Sequence, residues 1–234
     1  MISWMYAFAD RPAGRIEDSI TFWTQVTGSE VSARRGDNQE FATLVPGDGD
    51  PFAKLQAVGD AGGVHLDLCT ADTLGLVEKA VGLGASVVQH HGTWAVLRSP
   101  AGQLFCSVPW HGEQKRPEPV RGTRLGQVCV DVAAEDYEAE IAFWAGLTGW
   151  ADRAARLPGF HVIGAPEGMP FRLLVQRLGE PRPAGAHLDL FCADVAATAA
   201  WHAELGAAVV EEHPFWTVMR DPAGGVYCLI TGTP

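Results

Sequence analysis

The chain has 234 residues, 47% of them hydrophobic, enough for one large core or two modest ones. Its 28 acidic against 17 basic side chains give a formal charge of −11, which repels a phosphate backbone and argues against nucleic acid and anionic membrane as partners. No apolar run approaches the roughly 20 residues of a bilayer span, Met1 to Asp10 lacks a basic stretch ahead of a hydrophobic one, and the five cysteines show no CxxC spacing; free thiols in a cytoplasmic protein are expected.

Ile16, Ile20, Trp23 and Val26 fall at helical spacing and predict a first helix over Arg15 to Gly28, ended by a glycine that accepts left-handed backbone. The acidic tract from Gly47 to Asp50 reads as a turn, without the length or spacing of a calcium loop. Alternating residues predict strands over Phe52 to Val58 and Gly63 to Cys69. A second helix is predicted from the N-cap Asp72 to Gly84. Strands follow over Ala85 to Gln89, Trp94 to Arg98 and Leu104 to Val108. Ser99-Pro100-Ala101-Gly102 joins the last two, with proline second and glycine fourth as a type I turn prefers. From His111 to Arg124, two prolines and a run of charge remove any apolar period and suggest an exposed linker.

Beyond the linker the pattern starts again. After a strand over Leu125 to Val132, Tyr137, Ile141, Trp144 and Leu147 repeat the helical stripe up to Gly149, and Asp194 to Gly206 repeat the second helix. Leu83 to Cys106 and Leu205 to Cys228 agree at 13 of 24 positions without a gap. The chain is therefore read as an α+β tandem duplication: copy one over residues 1–110, a linker over 111–124 and copy two over 125–234. Each copy holds two βαβββ modules, four in all.

Strand alternation places Val64, Leu66 and Leu68 on one face, toward the helices, and His65, Asp67 and Cys69 on the other, as for His187 and Asp189 in copy two. A histidine beside a carboxylate suits general acid–base work, which makes His65, Asp67, His187 and Asp189 the catalytic candidates; hydrogen-bonded structural residues are the alternative. Trp94 and Trp216 are expected to fill core, with stacking on a flat ligand as the functional alternative. Phe22-Trp23 and Phe143-Trp144 are assigned to core. Cys106 and Cys228 lack a cationic neighbour and are expected to pack inertly. His91 and His213 are read as surface residues.

Phe-Trp followed by Thr-Gly at the end of the first helix, the strand His-Leu-Asp-Leu, Leu-Gly-Ala after the second helix and the closing Asp-Pro-Ala-Gly hairpin together resemble the vicinal oxygen chelate superfamily, in particular its glyoxalase-like domain branch. The resemblance implies paired modules curled into two incomplete barrels. It also implies a metal held by a His on the first strand, a His on the first strand of the second module and a Glu on the last strand. The second His matches His65 or His187. The first-strand position holds Tyr6 or Gln127, the last-strand position Cys106 or Cys228, and a further ligand position Gln56 or Gln176. Glutamine is a weak neutral ligand and cysteine favours soft ions, so a hard divalent ion is disfavoured. A metal, if bound, would use His65 or His187 with Cys106 or Cys228, short of a third strong ligand, and no tightly bound ion is expected. The implied function is a small-molecule site, of a lyase, isomerase or oxygenase acting on an oxygenated organic substrate. The alternative is a non-catalytic binder that sequesters an aromatic or cationic compound, as bleomycin-resistance proteins do. A small organic molecule is the expected partner, with the chain a monomer or homodimer.

Overall fold

The computed structural model describes residues 1–59 and 61–234. In the first copy the elements run β1 (Ile2–Pro12), a 3-10 turn (Ala13–Arg15), α1 (Ile16–Thr27), β2 (Ser29–Val31), β3 (Phe41–Pro46), β4 (Ala53–Val58), β5 (Gly63–Thr70), α2 (Thr73–Gly82), β6 (Ser86–His90), β7 (Ala95–Arg98) and β8 (Leu104–Pro109). In the second they run β9 (Thr123–Val132), α3 (Tyr137–Thr148), β10 (Ala151–Ala154), β11 (Phe160–Gly164), β12 (Arg172–Arg177), β13 (Gly185–Cys192), α4 (Val195–Glu204), β14 (Ala208–Glu212), β15 (Trp216–Arg220) and β16 (Val226–Thr231). Both copies are thus βαβββ taken twice. The strands form two eight-stranded sheets of the same order, β2-β3-β4-β1-β5-β8-β7-β6 and β10-β11-β12-β9-β13-β16-β15-β14, each open at its ends.

The punctuation read from the sequence holds in detail. Gly28 and Gly149 close α1 and α3 at φ 60° and 69°. Asp72 and Asp194 cap α2 and α4, each side chain accepting from the backbone N–H three residues on, Gly75 and Ala197. Gly102 N donates to Ser99 O, and Gly224 N to Asp221 O, both at 2.9 Å, closing the two turns ahead of β8 and β16. The acidic turn 47–50 is held by Lys115: its Nζ pairs with Asp48 at 2.5 Å, its carbonyl accepts from Asp50 N, and its own N–H donates to Asp50 Oδ2. The linker is only partly exposed and is fastened at several points, at Glu113 as well as at Lys115.

Packing divides the chain into two compact units that interleave the sequence repeats: Met1–Tyr6, His65–Gln114 and Val128–Ala186 in one, Ala7–Val64, Lys115–Gln127 and His187–Pro234 in the other. In the first unit, α3 packs on β11 and β12 of its own copy and also meets β8 of the first copy. Phe105 meets Phe143 and Trp144 with ring centroids 5.8 and 5.3 Å apart. In the second unit, α1 packs on β2, β3 and β4 of its own copy, and its Phe22 and Trp23 meet Tyr227 on β16 of the second copy at 5.8 and 5.4 Å. Phe22, Trp23, Phe143 and Trp144 are all buried, as their helical stripe requires.

Each buried indole needs an acceptor, and the two units supply it from opposite sides. In the first, Trp144 Nε1 donates to Glu140 on its own helix at 2.8 Å, and the other oxygen of Glu140 accepts from Ala101 N at 3.1 Å. In the second, Trp23 Nε1 donates to Asp221 of the hairpin turn at 3.1 Å. The repeat places Ser19 where Glu140 stands and Ser99 where Asp221 stands, so carboxylate and serine have exchanged places. Burial pushes the Glu140 carboxyl above the usual range. Glu140→Leu leaves the buried Trp144 indole N–H and the half-buried Ala101 N–H without this acceptor and is expected to cost roughly 2 kcal/mol in urea denaturation.

Candidate functional site

On β5 the residues alternate as predicted. Leu66 and Leu68 are wholly buried on the helix-facing side, while His65 and Asp67 share the opposite face. The parallel ladder to β8 places Cys106 directly beside Asp67, and the β13–β16 ladder likewise places Cys228 beside Asp189. Two equivalent clusters result, His65–Asp67–Cys106 in the first unit and His187–Asp189–Cys228 in the second. In each, one nitrogen, one oxygen and one sulfur lie within 4.8 Å of one another.

The second cluster is graded in exposure. His187 has 14% of its side chain open, whereas Asp189 has 3% and Cys228 is buried. His187 Nε2 lies 3.3 Å from Asp189 Oδ1, and that oxygen is buried without a hydrogen-bond partner. The other carboxylate oxygen accepts from the side-chain amide of Gln127 on β9. In the first cluster the equivalent first-strand residue is Tyr6, whose hydroxyl donates to Glu113 at 2.5 Å. Burial, and then the Glu113 carboxylate, push the Tyr6 phenol far above its ordinary value, so it stays protonated. Glu113 is held in turn by its backbone carbonyl, which accepts from Trp110 Nε1 at 3.0 Å.

Gln176 Oε1 faces Cys129 Sγ at 3.6 Å in the first unit, and Gln56, half-buried on β4, belongs to the second. The core assignment of Trp94 and Trp216 is corrected: both are half-buried. Trp94 stacks on His91 at 3.9 Å and Trp216 on His213 at 4.4 Å, at the ends of β7 and β15 away from the buried layer. His91 is exposed and His213 half-buried under its tryptophan. All five cysteines are free and buried. Sequence reasoning missed Glu113, which lies in the linker, and the donation from Gln127, because it treated that glutamine only as a weak ligand.

The hard-ion ligand set implied by the resemblance does not fit these residues. Gln127 turns its NH₂, a donor, toward Asp189, and Tyr6 gives its hydroxyl proton to Glu113; a neutral amide and a phenol are weak ligands beside the imidazole of a first-strand histidine. The last-strand position is sulfur in both copies. What the clusters can do is limited to two chemistries: an imidazole backed by a carboxylate can handle protons or polar oxygen functions, and an N, O, S triad can chelate.

Fold, duplication and the histidine-bearing faces together define a vicinal oxygen chelate protein. The chain belongs to the glyoxalase-like domain family, which it matches over residues 7–108 and again over 127–230. No curated protein matches the sequence. Among solved structures, it resembles the Mn(II)-bound glyoxalase from Novosphingobium aromaticivorans, with TM-score 0.72, 13% identity, and coverage of 100% of this chain and 83% of that one. It also resembles 2,2',3-trihydroxybiphenyl 1,2-dioxygenase from dibenzofuran-degrading Sphingomonas wittichii strain RW1, with TM-score 0.66, 18% identity, and coverage of 99% and 91%. A third is the 2,3-dioxygenase LapB from Pseudomonas sp. KL28, with TM-score 0.65, 12% identity, and coverage of 98% and 91%. At these identities the likeness is one of fold. Among the described residues, no helix is long and apolar enough to cross a membrane.

Proposed function

We propose that the chain is an enzyme of the lyase, isomerase or oxygenase kind found in this superfamily, acting on a small oxygenated organic molecule at the His187–Asp189–Cys228 cluster. The observation that carries this reading is the graded exposure. His187 is the member a molecule reaches from solvent, and the buried Asp189 carboxylate stands 3.3 Å behind its Nε2. A purely structural histidine–carboxylate pair would be expected to close a hydrogen bond, whereas Asp189 Oδ1 is left with none. The glyoxalase and dioxygenases of the same fold, named for chemistry on oxygenated compounds, support the class of substrate.

The alternative, a binder that sequesters an aromatic or cationic compound, draws on the half-exposed Trp94 and Trp216 and on the acidic net charge. One experiment separates the two. Chelator-treated protein is melted against a panel of catechols, hydroxy acids and cationic aromatics, and untreated protein is incubated with each compound that binds. A ligand at a hundredfold excess over its Kd stabilises the fold by about 2.7 kcal/mol, an easily measured shift. The enzyme reading expects the ligand to be converted and His187→Ala to abolish both shift and conversion. Recovery of an intact ligand selects the binder; a shift that survives His187→Ala removes this site from either reading.

A further inference from the structure

Independently of the His187 face, we propose that the second unit carries a further small-molecule site: a cleft between α4 and the β14–β15 hairpin that takes an aromatic ring bearing a primary amine. α4 packs over β14, β15 and β16. The cleft it forms with the hairpin has a volume of about 430 Å³, a size typical of small-molecule pockets. It lies on the other side of the sheet from the histidine cluster. In the β15–β16 ladder Val218 stands opposite Cys228 and Thr217 opposite Leu229, so Thr217, which lines the cleft, faces away from Cys228.

The lining dictates the class of ligand. Ala196, Ala199, Ala200 and Ala203 recur at helical spacing along the side of α4 that faces the cleft, and they make a shallow apolar wall on which a flat ring can lie. Phe215, at the hairpin tip, lines the cleft and is 56% exposed, which leaves its ring free to meet a second ring edge-on or offset. Thr217 is only 7% exposed, and its hydroxyl hydrogen-bonds to no described residue. A buried hydroxyl in that state lacks what a polar group on a ligand would supply. The charge is negative: Glu212 brings a carboxylate, Thr231 adds a second hydroxyl, and no lining residue is Lys or Arg. His213 also lines the cleft, but its ring is stacked on Trp216 and its Nε2 lies 3.4 Å from Glu211. An ammonium group is therefore the complement, in a chain whose formal charge of −11 already favours cations.

The duplication supplies an internal comparison. At the same offset of 122 residues, the first copy holds Leu74, Val77, Glu78 and Val81 in place of the four alanines, Ala95 in place of Thr217, Thr93 in place of Phe215 and His90 in place of Glu212. Wall, hydroxyl, aromatic ring and carboxylate all differ together, whereas the Leu-Gly-Ala and Pro-Ala-Gly segments on either side are the same in both copies. The features that build the cleft thus belong to the second copy alone.

The test titrates tryptamine, an indole with a primary amine, into full-length protein at pH 8 in chelator and follows the heat of binding. Saturable binding is expected in wild type and unchanged in His187→Ala. Ala199→Val with Ala203→Val, which installs the first copy's residues, abolishes it. Ala200→Leu, at a fully exposed helix position, does the same and guards against a double variant that does not fold, with circular dichroism as the check on both. Thr217→Ala weakens binding about fivefold. Glu212→Gln weakens tryptamine roughly two- to fivefold and leaves the weaker binding of uncharged indole unaltered. Filling the cleft leaves any melting shift given by catechols or hydroxy acids at the His187 face as it was, so the two sites fail separately. No saturable binding to folded wild-type protein, binding that survives in both filled-cleft variants, or binding lost in His187→Ala overturns the proposal.

Discussion

Asp221→Ala is expected to cost about 3–5 kcal/mol of stability and to lower the melting temperature by roughly 10 °C, because it strands a buried guanidinium. Arg11 is 1% exposed. Its Nε donates to Asp221 Oδ2 at 2.8 Å, and its Nη2 lies 2.8 Å from the same oxygen. Nη1 donates to the carbonyls of Asp10 and Gly63, at 2.8 and 2.9 Å. Removing the carboxylate leaves the positive charge in place with only neutral carbonyls, and it also takes the acceptor from Trp23 Nε1. Arg11→Met with Asp221→Leu is expected to recover most of the loss, since neither charge is then buried. Urea titration at neutral pH of the single and double variants measures both. The neighbouring Gly225 depends on the same guanidinium: a Cβ built there would stand 2.0 Å from Arg11 Cζ. The first unit, whose counterpart of Arg11 is Val132, carries Gln103 in place of that glycine, with its side chain buried and donating to Leu104 O at 2.9 Å.

That contrast explains why some of the molecule was legible in the sequence and some was not. Helix ends and hairpins are set by residues within a few positions of one another, so Gly28, Asp72 and the two Pro-Ala-Gly turns announce themselves. Arg11 and Asp221 are 210 residues apart, and Arg11 sits in a strand whose local pattern gives no reason to bury a charge. The aromatic contacts of α1 with β16 and of α3 with β8 were hidden for a related reason. Both copies present the same apolar faces, and amphipathic pattern says that a helix buries a face without saying which copy's sheet receives it. For the site, strand period put His187 and Asp189 on one face, whereas the neighbour of Asp189 is fixed by a parallel ladder that no local signal encodes. Period also placed Trp216 on a strand face but could not show that the buried layer stops short of it.

His202 is expected to make the protein lose stability as the pH falls below about 6.5. It is fully buried on α4. Its Nδ1 lies 2.9 Å from the Tyr227 hydroxyl, its ring packs on Phe22 at 5.5 Å, and its Nε2 has no hydrogen-bond partner. Burial alone pulls the imidazole down to about 4 from the ordinary 6.5. The neutral ring is therefore the folded form, and the unfolded chain takes up a proton first as pH falls. Between pH 6.5 and about 4 the unfolded state binds more protons than the folded one, so stability declines across that window, by roughly 3 kcal/mol at its acid end. His202→Leu removes the titration and keeps the volume, at the cost of the Tyr227 hydroxyl's partner, about 1 kcal/mol at neutral pH. In urea unfolding the variant should start slightly weaker than wild type at pH 7.5 and be the more stable protein at pH 4.5. An equal loss in both would place the acid sensitivity elsewhere. The first copy holds Ala80 and Phe105 at the equivalent positions, with nothing there to protonate. The acid-sensitive contact is thus confined to the second unit, where α1 and α4 share β16, and mild acid should weaken amide-exchange protection there before it does so around α3.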